Sequence, residues 1–358
     1  MDRRSFVLDL ARPLGTAKGT ISRREGVLVR IDADAEEHGI GEATPLPGWT
    51  ESLADCRTAL DAVSDRDATL RTAVDADPRA PFDDAPSALT DPLTDAPAAR
   101  HAVESAVLDA RGRRDGRPLA ALLAADPSTS VPVNATVGDG AVAETVAAAR
   151  AAVDDGFDCL KVKVGAGDPD RDVARLRAVR EAVGPGVTLR ADANAAWDRE
   201  TAGEVVDAFA DLDLSYLEQP LAADDLDGHA ALRGRGVDIG LDETLATTDL
   251  AAVLAADAAD VLILKPMALG GPARAYAVAR RAQAAGVAPV VTTTIDAAPA
   301  RTAAVHVAAA IPDVRPCGVA TGDALDADLA PDPAPVEDGF VVVPAGPGVA
   351  GDAFDGLF

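Results

Sequence analysis

The chain has 358 residues, 48% of them hydrophobic, which is enough to bury a large core in one domain with an appendage or in two domains. Its formal net charge of −26 argues against a nucleic-acid partner and an anionic membrane surface, because both are bound by clustered Lys and Arg. No apolar stretch approaches the roughly 20 residues of a membrane-spanning helix, and the first residues lack a signal-peptide core, so a cytoplasmic location is expected.

Acidic residues are distributed over the whole chain rather than gathered in a tail, and only four of the 33 basic residues are lysines. This composition resembles that of proteins from salt-rich cytoplasms, where salt screens the repulsion within an acidic shell. We therefore expect the thermal unfolding midpoint, followed by circular dichroism, to fall when the protein is dialysed from high to low salt. An unchanged midpoint would contradict a halophilic adaptation.

Residues 1–125 predict a small α+β unit. Alternating apolar runs separated by turn residues predict an antiparallel meander; these runs are 5–10, 19–22 and 27–32. Helices are predicted at 52–63 and 98–114, and the Asp- and Pro-rich segment between 76 and 97 is predicted to be a loop. The three cysteines are odd in number and far apart, so reduced, buried thiols are expected instead of disulfides.

Residues 126–324 alternate between short apolar runs and Ala-rich helical stretches, which is the pattern of parallel β/α structure. The apolar runs are 131–137, 159–164, 188–194, 216–220, 239–243, 261–266, 289–296 and 317–322. Eight strands and seven helical stretches predict a closed (β/α)7β-type TIM barrel. A doubly wound open sheet is the alternative, but the Gly-rich phosphate turn expected near its first strand is absent. Residues 325–358 predict a closing tail with a returning strand at 339–344.

Five ionisable residues recur at equivalent places in five consecutive β/α units. In chain order they are Lys163, Asp192, Glu218, Asp242 and Lys265, separated by 29, 26, 24 and 23 residues, or one β/α unit each. Each lies near the C-terminal end of its apolar run, and a TIM barrel has its active site at that end. The spacing therefore predicts that neighbouring strands bring all five side chains into one cup.

The three carboxylates predict a metal site, because in a partly buried cup they would repel each other and take up protons unless a cation held them. A ligand set made only of oxygen suits magnesium, or manganese, and leaves positions open for water or substrate. A lysine on each side can remove a proton next to a substrate carboxylate, while the metal takes up the charge of the enediolate. Arginine could not replace lysine in this role, because a guanidinium stays protonated at any working pH.

Four further residues are predicted to surround these five. Lys161 shares the inward side of its strand with Lys163, so it is expected near the metal carboxylates or the substrate carboxylate. Arg190 and Asn194 lie two residues either side of the first candidate metal ligand and are expected to position it. Thr294, at the end of the seventh run, is a candidate substrate contact.

The order and spacing of five short motifs resemble the enolase superfamily, and within it the muconate cycloisomerase branch. The motifs are K-x-K at 161–163, D-x-N at 192–194, E-Q-P at 218–220, D-E at 242–243 and K-P at 265–266. The resemblance covers nearly the whole chain. It implies that Asp192, Glu218 and Asp242 bind magnesium and that Lys163 and Lys265 flank the reacting carbon. It also implies that the N-terminal unit and the C-terminal tail form an α+β domain that caps the barrel.

The segment 41–52, with the sequence G-E-A-T-P-L-P-G-W-T-E-S, is similar to a loop of o-succinylbenzoate synthases, as is the helical segment 100–109. This implies a carbon–oxygen lyase that removes water from 2-succinyl-6-hydroxy-2,4-cyclohexadiene-1-carboxylate in menaquinone biosynthesis, with Lys163 as base and Lys265 as a stabilising cation. N-acylamino acid racemases share the loop, so a racemase, which needs both lysines as bases, or a muconate-type cycloisomerase is the alternative. Dipeptide epimerases of the branch carry D-x-D at the end of strand seven, which 294–296 lacks.

The intact lysines and carboxylates argue against a third hypothesis, a barrel that has lost activity and serves as a binding protein. The expected partner is a small carboxylate substrate. The sequence leaves open whether the chain forms a homo-oligomer.

Overall fold

The computed structural model describes residues 1–16, 19–32, 37–76 and 82–358. The strands are β1 (Asp2–Thr16), β2 (Gly19–Asp32), β3 (His38–Ala43), β4 (Ser130–Pro132), β5 (Ala135–Val137), β6 (Cys159–Lys163), β7 (Thr188–Asp192), β8 (Leu214–Glu218), β9 (Ile239–Leu241), β10 (Val261–Leu264), β11 (Ala288–Val291), β12 (Val336–Glu337) and β13 (Phe340–Val342). The α-helices are α1 (Leu53–Ser64), α2 (Asp67–Asp75), α3 (Ser87–Thr90), α4 (Pro97–Asp115), α5 (Leu119–Leu123), α6 (Val142–Asp154), α7 (Pro169–Val183), α8 (Arg199–Phe209), α9 (Leu226–Leu232), α10 (Leu250–Ala255), α11 (Pro266–Leu269), α12 (Pro272–Ala284) and α13 (Ala298–Ala310). Lys18, to which the sequence assigns no role, lies outside the described residues.

Strands β5 to β11 form one curved parallel sheet in chain order, with a helix after each strand. Its two edges are joined by Cys317, which bridges to Val133, and by Gly318, which bridges to Thr292. The predicted (β/α)7β-type barrel is therefore confirmed. The eighth strand, predicted at 317–322, is reduced to the two bridging residues, because the chain then turns away into a 3-10 helix. The first predicted strand is divided into β4, which pairs with β13, and β5, which joins the barrel.

The barrel strands are buried on both faces, which explains why their sequences are continuously apolar. Strand β10 reads Val-Leu-Ile-Leu, and each of its residues is at most 3% exposed. On the outer face, α12 buries Ala275, Ala279 and Ala282, which follow the helical period. The abundant alanine thus lets the helices approach the sheet closely.

An antiparallel sheet of β1, β2 and β3 packs on α4 and forms the core of the N-terminal unit. The runs predicted at 19–22 and 27–32 are one continuous strand, β2, and β3 was not predicted. Strand β3 was missed because it contains Gly39 and Gly41, and glycine usually weakens a strand. Here they allow close packing: a Cβ on Gly39 would lie 2.0 Å from the carbonyl oxygen of Ala106, and one on Gly41 would lie 1.9 Å from that of Ala102.

Helices α1 and α4 agree with the sequence prediction within one residue at each end. The segment predicted as a loop between 76 and 97 contains α3 and 3-10 turns instead. Phe82, Leu89 and Leu93 bury their side chains in the N-terminal core and so hold this segment in place. Helix α2, just before it, was also not predicted.

The C-terminal tail contacts both parts of the fold. Strand β13 pairs with β4 beneath the barrel, and the final 3-10 helix places Phe354 and Leu357 in an apolar cluster with β1. The proposed division of the chain stays a prediction, with boundaries at 1–125, 126–324 and 325–358. Within the described part of the chain, no helix combines the length and the apolar character needed to cross a membrane.

A buried carboxylate of α4 joins the N-terminal unit to the barrel. Glu104 is fully buried and accepts hydrogen bonds from the amides of Ala273 at 2.7 Å and Arg274 at 3.3 Å, at the start of α12. It also pairs with Arg100 at 3.1 Å. Burial, opposed by Arg100, raises the pKa of Glu104 to about 7.

We expect Glu104→Gln to change how stability depends on pH. Because the folded state raises the pKa of Glu104 from 4.5 to about 7, ionising this carboxyl destabilises the wild type progressively between those pH values. The amide does not ionise. The free energy of unfolding of the variant, relative to the wild type, should therefore rise by about 3 kcal/mol from pH 4.5 to pH 8. Urea unfolding in high salt at both pH values measures it, and a difference independent of pH would contradict the raised pKa.

Candidate active site

The structure brings the five predicted residues to one end of the barrel. In the parallel register Lys163 lies opposite Asp192, which in turn lies opposite Glu218. Asp242 directly follows β9, and Lys265 directly follows β10. The three carboxylates are at most 4% exposed. Their charges are therefore largely shielded from bulk water.

Two lysines hold the carboxylate of Asp192. Lys163 Nζ lies 2.7 Å from Asp192 Oδ2 and 2.7 Å from Asn194 Oδ1. Lys161 Nζ lies 3.1 Å from the same Asp192 oxygen and 3.2 Å from Glu218 Oε1. Lys161 therefore joins two neighbouring carboxylates. Lys163 is the more open of the two, with 31% of its side chain exposed against 15% for Lys161.

Lys265 lies between a carboxylate and an aromatic ring. Its Nζ is 2.7 Å from Asp242 Oδ1 and 2.5 Å from Asp242 Oδ2. The same atom lies 3.2 Å from the centroid of the Trp49 ring, close enough for the ring to attract a cation. Trp49 belongs to the turn 46–50 that follows β3. The N-terminal unit therefore reaches the barrel end here and leaves only 12% of the Lys265 side chain exposed.

The pKa values of the three carboxyls differ because their neighbours differ. Burial, together with Asp192, raises the pKa of Glu218 to about 7, and burial raises the pKa of Asp242 to about 6. Burial would also raise the pKa of Asp192, but Lys161 and Lys163 outweigh it and hold that pKa well below its usual range. The raised pKa values mean that the ionised forms of Glu218 and Asp242 are disfavoured. A further cation in the site would stabilise them.

The three carboxylates suit magnesium by their chemistry, since they are hard oxygen ligands on neighbouring strands. Within residues 1–16, 19–32, 37–76 and 82–358, no three His, Cys, Asp or Glu side chains lie close enough to form a metal cluster. Lysine amines occupy the carboxylate oxygens instead: Lys161 contacts Asp192 and Glu218, and Lys265 contacts Asp242. The residues therefore fit the ion in type and strand position, and binding it would require oxygens that the lysines now contact.

Asn194 and Gln219 position the strand ends. Asn194 accepts from Lys163 and donates through Nδ2 to Glu243 Oε1 at 3.2 Å. Gln219, fully buried, accepts from the amide of Asp242 at 2.9 Å and so links the ends of β8 and β9. The sequence predicts no role for Gln219, which appears there only as part of the E-Q-P motif. Its position directly after a candidate metal ligand could have indicated one. No role was predicted for Trp49 either.

Arg190 lies on β7 two residues before Asp192, opposite Lys161 of β6 in the parallel register. Its guanidinium donates to the carbonyl of Pro316 at 2.6 Å and to Asn134 Oδ1 at 3.3 Å, and it stacks 4.8 Å from the centroid of the Tyr216 ring. These contacts join the third strand of the barrel to its first and last strands. They give Arg190 a place in the packing of the barrel interior.

Thr294 lies in the turn after β11, which pairs with β10, the strand that directly precedes Lys265. Its hydroxyl donates to the carboxylate of Asp296, and both side chains are buried. Thr293 contacts Thr321, at the end of the last barrel segment, through a hydroxyl pair at 2.8 Å. The structure therefore brings Thr294 to the mouth of the barrel with its hydroxyl hydrogen bond already made.

Two family models match the chain. The enolase C-terminal domain-like model matches residues 144–352, and the mandelate racemase / muconate lactonizing enzyme N-terminal domain matches residues 4–124. An o-succinylbenzoate synthase from Thermobifida fusca is 39% identical over 209 residues, which is 57% of this chain and 63% of that protein. The chain thus spans less than two thirds of that relative.

An L-Ala-D/L-Glu epimerase from Bacillus subtilis is 32% identical over 309 residues, or 85% of this chain and 82% of that protein. The solved structure of a substrate-liganded complex of the B. subtilis epimerase has a TM-score of 0.84 at 28% identity, covering 98% of this chain and 97% of that one. Because the barrel, the N-terminal unit and the strand-end motifs all fall within these matches, the chain belongs to the enolase superfamily.

Proposed function

We propose that the protein is an o-succinylbenzoate synthase, which removes water from 2-succinyl-6-hydroxy-2,4-cyclohexadiene-1-carboxylate. Of the two relatives described above, the one of that name has the higher identity, although over the smaller share of the chain. The segment 41–52 supports the same reaction, since it places Trp49 against Lys265 at the barrel end.

The unequal surroundings of the two lysines are the observation that carries this proposal. Lys265 is enclosed between Asp242 and the Trp49 ring, which suits a permanent cation. Lys163 is open on one side and can meet a substrate. A racemase needs a base on each face of the reacting carbon, whereas an elimination needs only one.

Members of the superfamily use Mg²⁺, and Asp192, Glu218 and Asp242 would hold it here. When bound, the ion would supply positive charge beside the substrate carboxylate, where negative charge develops. Lys161, which already joins two of these carboxylates, would orient them. Asn194 would orient Lys163 through its hydrogen bond.

In the proposed reaction the neutral amine of Lys163 removes the proton from the ring carbon that bears the carboxylate. The electrons of that C–H bond move into the ring carboxylate and form an enediolate. They then return to form the new ring double bond as the C–O bond to the hydroxyl breaks. The ammonium of Lys163 then gives its proton to the departing oxygen, so that water leaves and the ring is aromatic. Lys265 stays protonated and stabilises the charge that develops on the substrate.

The test is a direct assay of purified protein with magnesium in high salt. We expect 2-succinylbenzoate to form, as followed by ultraviolet absorbance and mass spectrometry, and N-succinylamino acids to keep their configuration, as followed by polarimetry. Racemisation without dehydration would replace the proposed function by N-acylamino acid racemase. Turnover of muconate alone would replace it by a cycloisomerase.

The racemase remains the second candidate because the epimerase relative covers 85% of the chain. A lysine on each side of the carboxylates is also what a two-base reaction requires. A dipeptide substrate is less well supported, since segment 294–296 lacks the D-x-D that dipeptide epimerases of this branch carry.

A further inference from the structure

The turn after β11, residues 293–297 and hereafter the strand-seven turn, contains a strained residue. Ile295 has φ 59°, a conformation that is costly for a β-branched side chain. The residue lies at the barrel rim, because β11 pairs with β10 and the amide of Thr292 donates to the carbonyl of Leu264, the residue before Lys265. Such strain persists only where the surroundings hold the backbone in place.

A carboxylate of the N-terminal sheet holds one end of this turn. Glu42, on β3, is fully buried. Its Oε1 accepts from the amide of Ala297 at 2.9 Å, and its Oε2 accepts from the amide of Ala300 at 2.9 Å. Both amides lie at the N-terminus of α13, where an anion is stabilised by unpaired N–H groups and the helix dipole. Glu42 thus caps a barrel helix from the other unit.

An arginine of the same sheet holds the strained residue itself. Arg24, on β2, is 3% exposed, and its Nε donates to the carbonyl of Ile295 at 3.3 Å. Its Nη2 and Nη1 donate to the carbonyls of Thr44 at 2.7 Å and Pro45 at 3.4 Å. Thr44 and Pro45 lead directly into the turn that carries Trp49. One guanidinium therefore ties the strained turn to the loop that covers Lys265.

We propose that Arg24 and Glu42, hereafter the clamp, are positioning residues through which the N-terminal sheet sets the shape of the substrate pocket. The clamp holds the strand-seven turn in its strained conformation and fixes its position relative to the turn 46–50, which carries Trp49. The barrel mouth at this side is thus built by residues of both units. The choice of substrate in the kinetic test rests on the proposed function; the clamp itself does not.

The test compares Glu42→Gln and Arg24→Lys with the wild type. An amide keeps only one of the two acceptor oxygens of Glu42, and a lysine cannot donate to three carbonyls in the planar arrangement of a guanidinium. We expect the KM for the cyclohexadiene carboxylate to rise about tenfold, with a smaller change in kcat. Hydrogen–deuterium exchange of the peptide 292–303 should become about tenfold faster at its clamped amides.

Asp109→Asn is the matched control. Asp109 is also a buried carboxylate of the N-terminal unit, but it accepts from the amides of Ile40 at 2.9 Å and Val349 at 2.7 Å, which join β3 to the C-terminal tail. We expect this variant to lose thermal stability while KM and exchange at 292–303 stay as in the wild type. Equal effects of the control and the clamp variants would overturn the proposal.

Ile295→Gly tests the strain directly, because glycine adopts a positive φ without the steric penalty of isoleucine. Added to Glu42→Gln, it should restore part of the lost affinity, since the turn then needs less support. No recovery would count against strain as the reason for the clamp. A wild type without dehydratase activity would overturn the proposed function alone, whereas unchanged exchange in both clamp variants would overturn the clamp alone.

Discussion

Replacing Lys163 with alanine is expected to lower kcat for dehydration by about 10³-fold, within the range that general acid–base catalysis contributes. Lys163 is the more open of the two candidate catalytic lysines, and it is held by Asp192 and Asn194. Removing it should leave magnesium binding in place, because the carboxylates remain. Steady-state kinetics at saturating magnesium measures kcat, and the shift of the unfolding midpoint with magnesium measures the binding.

Arginine variants separate a base from a structural cation. Lys163→Arg keeps a positive charge beside Asp192 but cannot accept the substrate proton, so it should be about as inactive as the alanine variant. Lys265→Arg keeps the cation that the elimination needs and should be at least about tenfold more active than Lys163→Arg. A two-base racemase would lose activity equally in both. Full activity of Lys163→Arg would show that Lys163 is only a structural cation.

Glu218→Gln is expected to abolish the stabilisation of the protein by magnesium. An ion that binds only the folded state stabilises it by about 2.7 kcal/mol at a hundred times its Kd. Glu218 is the central one of three candidate carboxylates. Its pKa is raised to about 7, so a bound cation would strongly stabilise its ionised form. Denaturant unfolding with and without magnesium, at pH 8 in high salt, measures the difference for wild type and variant.

Glu243→Gln is the matched control for this experiment. Glu243 directly follows Asp242, but its Oε1 accepts from Asn194 Nδ2 at 3.2 Å, and its role is expected to be structural. Its amide variant should keep most of the stabilisation by magnesium. If Glu243→Gln lost that stabilisation and Glu218→Gln kept it, the assignment of the metal ligands would be wrong.

The barrel and the places of the five strand-end residues could be predicted because both depend on local, repeating patterns. Each β/α unit repeats the same apolar run, and the parallel register places Lys163, Asp192 and Glu218 side by side. The roles of these residues stay predictions. The N-terminal sheet was harder to predict, because Gly39 and Gly41 weaken the strand pattern of β3. These glycines are required there by the close packing of β3 on α4.

Contacts between the two units could not be predicted, because they join residues that are far apart in the chain. Glu42 and Ala297, for example, are separated by 255 residues. Glu42 belongs to the segment 41–52 and Ala297 follows the seventh apolar run, and neither sequence neighbourhood indicates the other. The stacking of Trp49 on Lys265 is of the same kind. A sequence pattern marks which residues are available for chemistry, while the tertiary fold decides which of them meet.

The closure of the barrel by two residues has a consequence for the charged cluster. The seam is held by main-chain hydrogen bonds of Cys317 to Pro132 at 2.8 Å, of Gly318 to Val291 at 2.8 Å and of Asn134 to Cys317 at 3.0 Å. The side chains of Arg190 and Thr292 add hydrogen bonds to the carbonyls of Pro316 and Gly318 across the same seam. The lysines and carboxylates lie on β6 to β10 or directly after them, so β5 or β11 separates them from the seam on each side. The charged cluster is thus built within the continuous part of the sheet, and the pairing of Lys163, Asp192 and Glu218 does not pass through the seam.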